Sequence, residues 1–363
     1  MIEPQRVTVL LHGRVVGRIA QTADGRCAFQ YEPEYVADGH SISPLALPLN
    51  NAVTVAKPTP FRGNFGVFDD SLPDGWGRLL QDRVLREQHI DPSRLTTLQR
   101  LALAGHDGRG ALEYEPTMAT GDSVPPADLP TLAAAARNVM GAGEVSPADF
   151  AALARRGGSS GGARPKVFFS DAAGEWLVKF AAAVDPPDVG RIEYDSALLA
   201  GRCGIDMPET RLFEGRYFGV RRFDRIAGGK VHVVSAGGLV DADYRVPSLD
   251  YSSLLALTRQ LTRDMTQIEQ MYRRMVFNVM IGNRDDHAKN FSFQMDETGR
   301  WTLTPAYDLL PSPGFNGFHT TTVNGSGDPG DNDLIDVGAR AGLSRRAATA
   351  ILGDIKAATR ASR

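Results

Sequence analysis

The chain has 363 residues, with 40 Lys and Arg against 43 Asp and Glu, a formal net charge of −3. That length predicts two to three domains and a core that needs no disulfide staples, and the near-neutral balance excludes a protein that coats nucleic acid by charge alone. Cys27 and Cys203 are too far apart for a CxxC metal knuckle or a disulfide framework, and the apolar run from Val7 to Leu11 is too short for a signal peptide. No stretch approaches the roughly 18 apolar residues of a membrane span, so a cytoplasmic protein with no membrane partner is expected. Glycine (38) and proline (22) make up about a sixth of the chain, an excess that predicts many turns and at least one Gly-rich functional loop.

Taken in order, 6–20 (RVTVLLHGRVVGRIA) reads as a hairpin around His12-Gly13-Arg14, and 23–32 as a further strand after Asp24-Gly25. Leu79, Leu80, Val84, Leu85 and Ile90 fall at helical spacing and Asp91-Pro92 stops the run; a second short helix is expected over 95–104. Residues 105–130 hold few large apolar side chains and read as linker or exposed loop. Helices are expected over 134–140 and 148–156, followed by a Gly loop, a strand over 167–170 and another over 175–180. A helix over 192–203 precedes a strand pair, TRLFEG and RYFGVRRF. Thr266 and Glu269 form a capping-box pattern before an apolar stripe: Ile268, Met271, Tyr272, Met275, Val276, Val279 and Met280. That stripe predicts a buried core helix.

The chemistry concentrates in three places. Directly after the core helix comes Asn283-Arg-Asp-Asp-His-Ala-Lys-Asn290, too rich in ionisable groups for a core and longer than a helix cap requires. Asp285 and Asn290 stand as D-x-x-x-x-N, the spacing at which a protein-kinase catalytic loop puts the carboxylate that accepts the substrate hydroxyl's proton and the amide that holds a metal ion. Past a predicted hairpin lies Pro305-Ala-Tyr-Asp308, where a second Mg²⁺ ligand belongs; Mg²⁺ takes one or two carboxylates with phosphate oxygens and water. Upstream, Gly157-Gly-Ser-Ser-Gly-Gly162 offers unobstructed backbone N–H groups for phosphate, although Ala163-Arg164 follows and not the Lys-Ser/Thr of a Walker A loop. A lysine on an apolar strand is costly unless its charge is used, which makes Lys179 the candidate for the nucleotide phosphates. Glu193 on the next helix is its candidate ionic partner. The five motifs follow one another in kinase order, and together they are complete for in-line phosphoryl transfer.

With these residues in view the sequence resembles the HipA family of Ser/Thr kinases, the toxin halves of type II toxin–antitoxin modules. The matches are FRGNFGVFDDSLPDGWGRLL (61–80), GGSSGGARPK (157–166), WLVKF (176–180), RRFDR (221–225), IGNRDDHAKNFSF (281–293) and PAYDLLPS (305–312). The resemblance implies an α+β, bilobed protein-kinase-like fold. Its parts would be an N-terminal β-rich domain (1–130), a kinase N-lobe with the phosphate loop and hinge (131–235) and a helical C-lobe with the catalytic loop (236–363).

The resemblance also implies roles. ATP and Mg²⁺ are the expected cofactors. Asp285 would be the catalytic base, assisted by His287 and Lys179. Gly161, Gly162, Ala163, Arg164, Lys166, Lys179, Arg221, Arg222, Phe223, His287, Asn290, Tyr307 and Asp308 would bind the nucleotide, with Asn290 and Asp308 holding metal. Ser159 or Ser160 would be autophosphorylated, switching the kinase off, because up to two added negative charges cannot remain where ATP phosphates bind. A HipB-like helix-turn-helix antitoxin would tether the protein to operator DNA, and a translation factor or aminoacyl-tRNA synthetase would be the substrate. Arg221 departs from the acidic residue common there, and 234–240 replaces the family's usual Gln-Glu-Asp segment.

Two other readings remain open on sequence: a catalytically weak scaffold that binds nucleotide and an antitoxin–DNA complex, and a phosphohydrolase with Asp285, Asp286 and His287 as metal ligands. The tail 340–363, with six basic residues and one acidic, reads as a solvated helix face or as a contact to a partner or a DNA backbone.

Overall fold

A computed structural model describes residues 4–118, 127–141, 143–158, 160–227, 229–314 and 316–362. Two compact units emerge, one of residues 1–191 and 210–232, the other of residues 192–209 and 233–363.

The first unit opens with the expected hairpin. Strands Arg6–Leu11 and Arg14–Gln21 pair antiparallel, and His12 (φ 53°) and Gly13 (φ 74°) both occupy the left-handed region that a two-residue hairpin turn needs. Cys27–Tyr31 and the two-residue edge Thr54–Val55 extend the sheet on one side. On the other side the structure corrects the sequence reading: Leu112–Glu115, expected as loop, is a strand paired with Arg6–Leu11, with Tyr114 completely buried. Four residues are too few for a period to stand out, and what makes them a strand is the unpaired edge of Arg6–Leu11.

A second, antiparallel sheet runs in the order Lys166–Asp171, Gly174–Lys179, Tyr217–Arg221, Thr210–Phe213. Helices Gly75–Glu87, Leu129–Met140 and Pro147–Gly157 supply the apolar residues that cover it. Trp76, Leu80, Leu132, Phe150 and Leu153 share one core with Val167, Trp176 and Val178. In Gly75–Glu87, Leu80 and Leu85 are buried as the spacing predicts, while Leu79 is exposed.

The second unit is built on the predicted core helix, Met265–Ile281, with Ile268, Met271, Tyr272, Met275 and Val276 buried and the last two residues of the stripe, Val279 and Met280, partly so. Its cap is Asp264 and not Thr266: the Asp264 carboxylate accepts the Thr266 N–H at 2.8 Å, the better acceptor at the positive end of the helix. Tyr251–Thr262 packs beside it, and Asp331–Arg340 and Arg345–Ala361 follow, the latter capped by Ser344. Strands His232–Ser235, Ser292–Met295 and Trp301–Leu303 form a small sheet, and Leu249–Asp250 pairs parallel with Thr321–Thr322. Among the described residues no helix is long and apolar enough to cross a membrane.

Candidate active site

The Gly-rich loop is held in the first unit by the segment 74–77. The Trp76 N–H donates to the Gly162 carbonyl at 2.8 Å, the Trp76 indole to the Lys166 carbonyl at 2.9 Å, and the Gly162 N–H to the Asp74 carboxylate. Gly161, Gly162, Ala163 and Arg164 are exposed, and Gly162 (φ 84°) makes the turn. Ser160 is buried, its hydroxyl donating to the Gly157 carbonyl at 2.6 Å. Ser159 lies outside the described residues.

Lys166 and Lys179 stand directly opposite each other on paired strands. The Lys166 Nζ lies against Gly162, at 2.5 Å from where a Cβ would be, and Lys179 Nζ is 5.6 Å from the Phe218 ring centroid. Arg164 makes a two-pronged pair with Asp185, its Nη2 at 2.8 Å from Oδ1. Glu193 is buried, and it belongs to the second unit while Lys179 belongs to the first.

At the predicted hinge, Arg221 is exposed at the end of its strand, whereas Arg222 faces inward. Its guanidinium stacks on Phe168 at 4.1 Å and grips Asp224 through Nε (2.9 Å) and Nη2 (2.8 Å). Arg225 and the Gly110 N–H also bond the Asp224 carboxylate. Burial alone would push this carboxyl up; the two guanidiniums and the amide outweigh it and bring it down to about 2. The side chain of Arg222 is thus engaged with Phe168 and Asp224, and Phe223, half-buried, lies between Arg222 and Asp224 along the chain.

In the second unit, Gly282 (φ 73°) ends the core helix and turns the chain into the polar block Asn283–Asn290. The two adjacent aspartates part company. Asp285 is exposed; Asp286 is completely buried, accepting the Tyr251 hydroxyl (2.9 Å), the Thr320 N–H (2.9 Å), the Thr321 N–H (3.2 Å) and His319 Nδ1 (2.9 Å). Asn290 closes a short 3-10 turn, Ala288–Asn290, and its Nδ2 donates to the Asp285 carbonyl at 2.8 Å. His287 Nδ1 accepts the Lys289 N–H at 3.2 Å, so the neutral ring carries its proton on Nε2. Tyr244 packs beside this turn, its ring 5.8 Å from that of His287 and 4.2 Å from Lys289 Nζ. The Tyr307 hydroxyl donates to the Lys289 carbonyl at 2.7 Å, and Asp308 sits at φ 54°.

The donor set fits Mg²⁺. Asn290 donates through Nδ2, so that bond leaves Oδ1, a hard oxygen, on the other side of the amide, and Asp308 adds a carboxylate. Among the described residues there is no group of three His, Cys, Asp or Glu arranged to hold a metal. With Asp286 fully committed to the fold, the triad required by a phosphohydrolase is not assembled.

Comparison with known proteins shows the family and the fold. A HipA-like C-terminal domain matches residues 158–362 and a HipA N-terminal domain matches residues 7–115. The chain belongs to the HipA family. It is 27% identical over 350 residues to "Putative kinase Y4dM" of Sinorhizobium fredii, covering 88% of this chain and 81% of the relative. A second protein of that organism, "Putative kinase Y4mE", is 28% identical over 330 residues, covering 82% and 75%. Among solved structures it is similar to the Shewanella oneidensis MR-1 toxin–antitoxin complex of HipA, HipB and operator DNA, with a TM-score of 0.70 and 18% identity over 96% of this chain and 88% of that one. The expected α+β, kinase-like HipA fold therefore stands.

What sequence reading missed in this HipA-family chain is the support around the site. The Asp74–Trp76 clamp on the Gly loop lies within a quoted match, but its partners are some 90 residues away. In the sequence Asp224 stands out only as part of RRFDR, and neither Tyr251 nor His319 belongs to a motif.

Proposed function

We propose that this HipA-family chain is a serine/threonine protein kinase and the toxin of a type II toxin–antitoxin module. The acceptor hydroxyl would give its proton to Asp285 as its oxygen bonds the γ-phosphorus, and the bond to the β–γ bridging oxygen would break to release ADP. Lys179, Lys166 and the 161–164 loop, with Arg164, would bind the phosphates; Arg221, Arg222 and Phe223 would border the adenine. Glu193 would pair with Lys179, and His287 and Tyr307 would brace the catalytic turn. Mg²⁺, held by Asn290 and Asp308, would neutralise charge on the phosphates.

One observation carries the reading: of two adjacent aspartates, Asp286 is spent on internal hydrogen bonds, while Asp285 is exposed with its carbonyl tied to the Asn290 amide. A merely solvated polar loop would not sort its carboxylates in this way. Autophosphorylation at Ser159 or Ser160 would act as a brake, since buried Ser160 has no room for a phosphate in the docked loop. The resemblance also supports a HipB-like partner bound to operator DNA, a translation component as substrate, a cytoplasmic location, and the three-part division at 130 and 235.

Incubation of the purified protein with Mg²⁺ and γ-labelled ATP tests the reading. Wild type should label itself or a lysate protein, and Asp285→Asn should reduce the rate by at least about a thousandfold. Equal labelling by the two proteins, or none by wild type, would leave the scaffold reading in its place.

A further inference from the structure

We propose that Asp286, Tyr251, Asn278 and Asn283 form a one-way hydrogen-bond relay that positions Asp308, making these four positioning residues of the metal site. The inference rests on the reading of Asp308 as a metal ligand.

All four are buried: Asp286 and Tyr251 completely, Asn278 and Asn283 each 1% exposed. Tyr251 donates to Asp286 Oδ2 at 2.9 Å. Asn278 Nδ2 donates to the Tyr251 oxygen at 2.9 Å, and Asn283 Nδ2 to Asn278 Oδ1 at 3.0 Å. The same Asn283 Nδ2 donates to the Asp308 carbonyl at 3.0 Å.

The direction of every bond follows from the charge at one end. An ionised carboxylate can only accept, so the single Tyr251 proton points to Asp286 and the phenol oxygen is left to accept. Asn278 must then present its NH₂ to Tyr251, which turns its oxygen toward Asn283. Asn283 must answer with its own NH₂, whose second proton reaches Asp308. Burial and the Asp286 charge raise the Tyr251 phenol well above its ordinary range, so it stays a donor. Flipping Asn278 would set its NH₂ against that of Asn283, and flipping Asn283 would set its oxygen against Asn278 Oδ1 and the Asp308 carbonyl, each at a cost of about 1–3 kcal/mol.

The end of the relay explains why it matters. Asp308 sits at φ 54°, a left-handed conformation that an L residue adopts at a cost of about 1–2 kcal/mol. Backbone conformation sets the direction in which the Cβ leaves, and with it the carboxylate. The Asn283 bond to the Asp308 carbonyl stabilises that conformer, and Asp286, next to Asp285, anchors the catalytic turn through the same carboxylate.

Tyr251→Phe removes one hydroxyl and leaves the other three Asp286 bonds in place. Mn²⁺ titration in the presence of ADP, followed by electron paramagnetic resonance, reads the metal site without turnover. The folded variant should bind Mn²⁺ about tenfold more weakly, with metal-free ADP affinity unchanged, and Asp286→Asn should do the same. A merely structural role would lower the melting temperature and leave the Mn²⁺ curve on that of wild type; that result, in either folded variant, overturns the relay. The parent reading fails separately: Asp308→Asn would then bind Mn²⁺ as wild type does.

Discussion

Gly77 lies so close to Ser160 that a Cβ on residue 77 would stand 2.2 Å from the Ser160 carbonyl oxygen. The obstacle is backbone, so no side chain can swing aside. Gly77 is also inside the helix Gly75–Glu87, where Gly→Ala ordinarily stabilises by about 1 kcal/mol. The sign of the substitution therefore reports on the contact. Gly77→Ala should destabilise the protein by about 1–3 kcal/mol in urea denaturation and weaken binding of a fluorescent ATP analogue. A more stable variant with wild-type affinity would show that the Gly loop does not rest on this helix.

His232 predicts a loss of stability in mild acid. It is buried and its Nε2 lies 2.8 Å from the Ile42 carbonyl; burial pushes its pKa down to about 4 from an ordinary 6.5. Between those values the unfolded chain binds the proton and the folded one does not, so stability falls as pH drops from 6.5 to 4, by about 3 kcal/mol in all. His232→Gln should flatten this part of the stability–pH curve, measured by chemical denaturation at intervals of half a pH unit. An unchanged slope would count against the neutral, buried assignment.

Asp224 predicts a different vulnerability. Its carboxylate is shared by Arg222 and Arg225, whose side chains are only 8% and 12% exposed. Asp224→Asn keeps the shape but leaves two guanidiniums facing a neutral amide, and should cost about 3–5 kcal/mol. Because the folded carboxyl sits near 2 and below its ordinary 3.8, the wild-type contribution is complete above pH 4 and fades as pH falls toward 2. A shift of the urea midpoint in Asp224→Asn corresponding to less than 1 kcal/mol at pH 7 would contradict this.

Much of the candidate site's local geometry was legible because its signals are local. The D-x-x-x-x-N spacing of Asp285 and Asn290 is closed by a bond across five residues, and the hairpin at His12-Gly13 needs only two left-handed positions. The strand Leu112–Glu115 and the cap at Asp264 were not legible in the same way. One depends on a neighbouring edge formed a hundred residues earlier, and the other on a competition between two acceptable caps two residues apart.

The sequence by itself determined the order of the parts: Gly loop, strand lysine, helix glutamate, D-x-x-x-x-N turn and the aspartate downstream of it, each a short pattern carried by neighbouring residues. Only the tertiary structure decided which of two identical side chains does which work. Asp285 and Asp286 are indistinguishable as a dipeptide, and their roles separate because Tyr251, 35 positions upstream, and Thr320 and Thr321, 34 and 35 positions downstream, converge on one carboxylate. A buried charge must be fully hydrogen-bonded, and donors drawn from such distances are brought together only by packing.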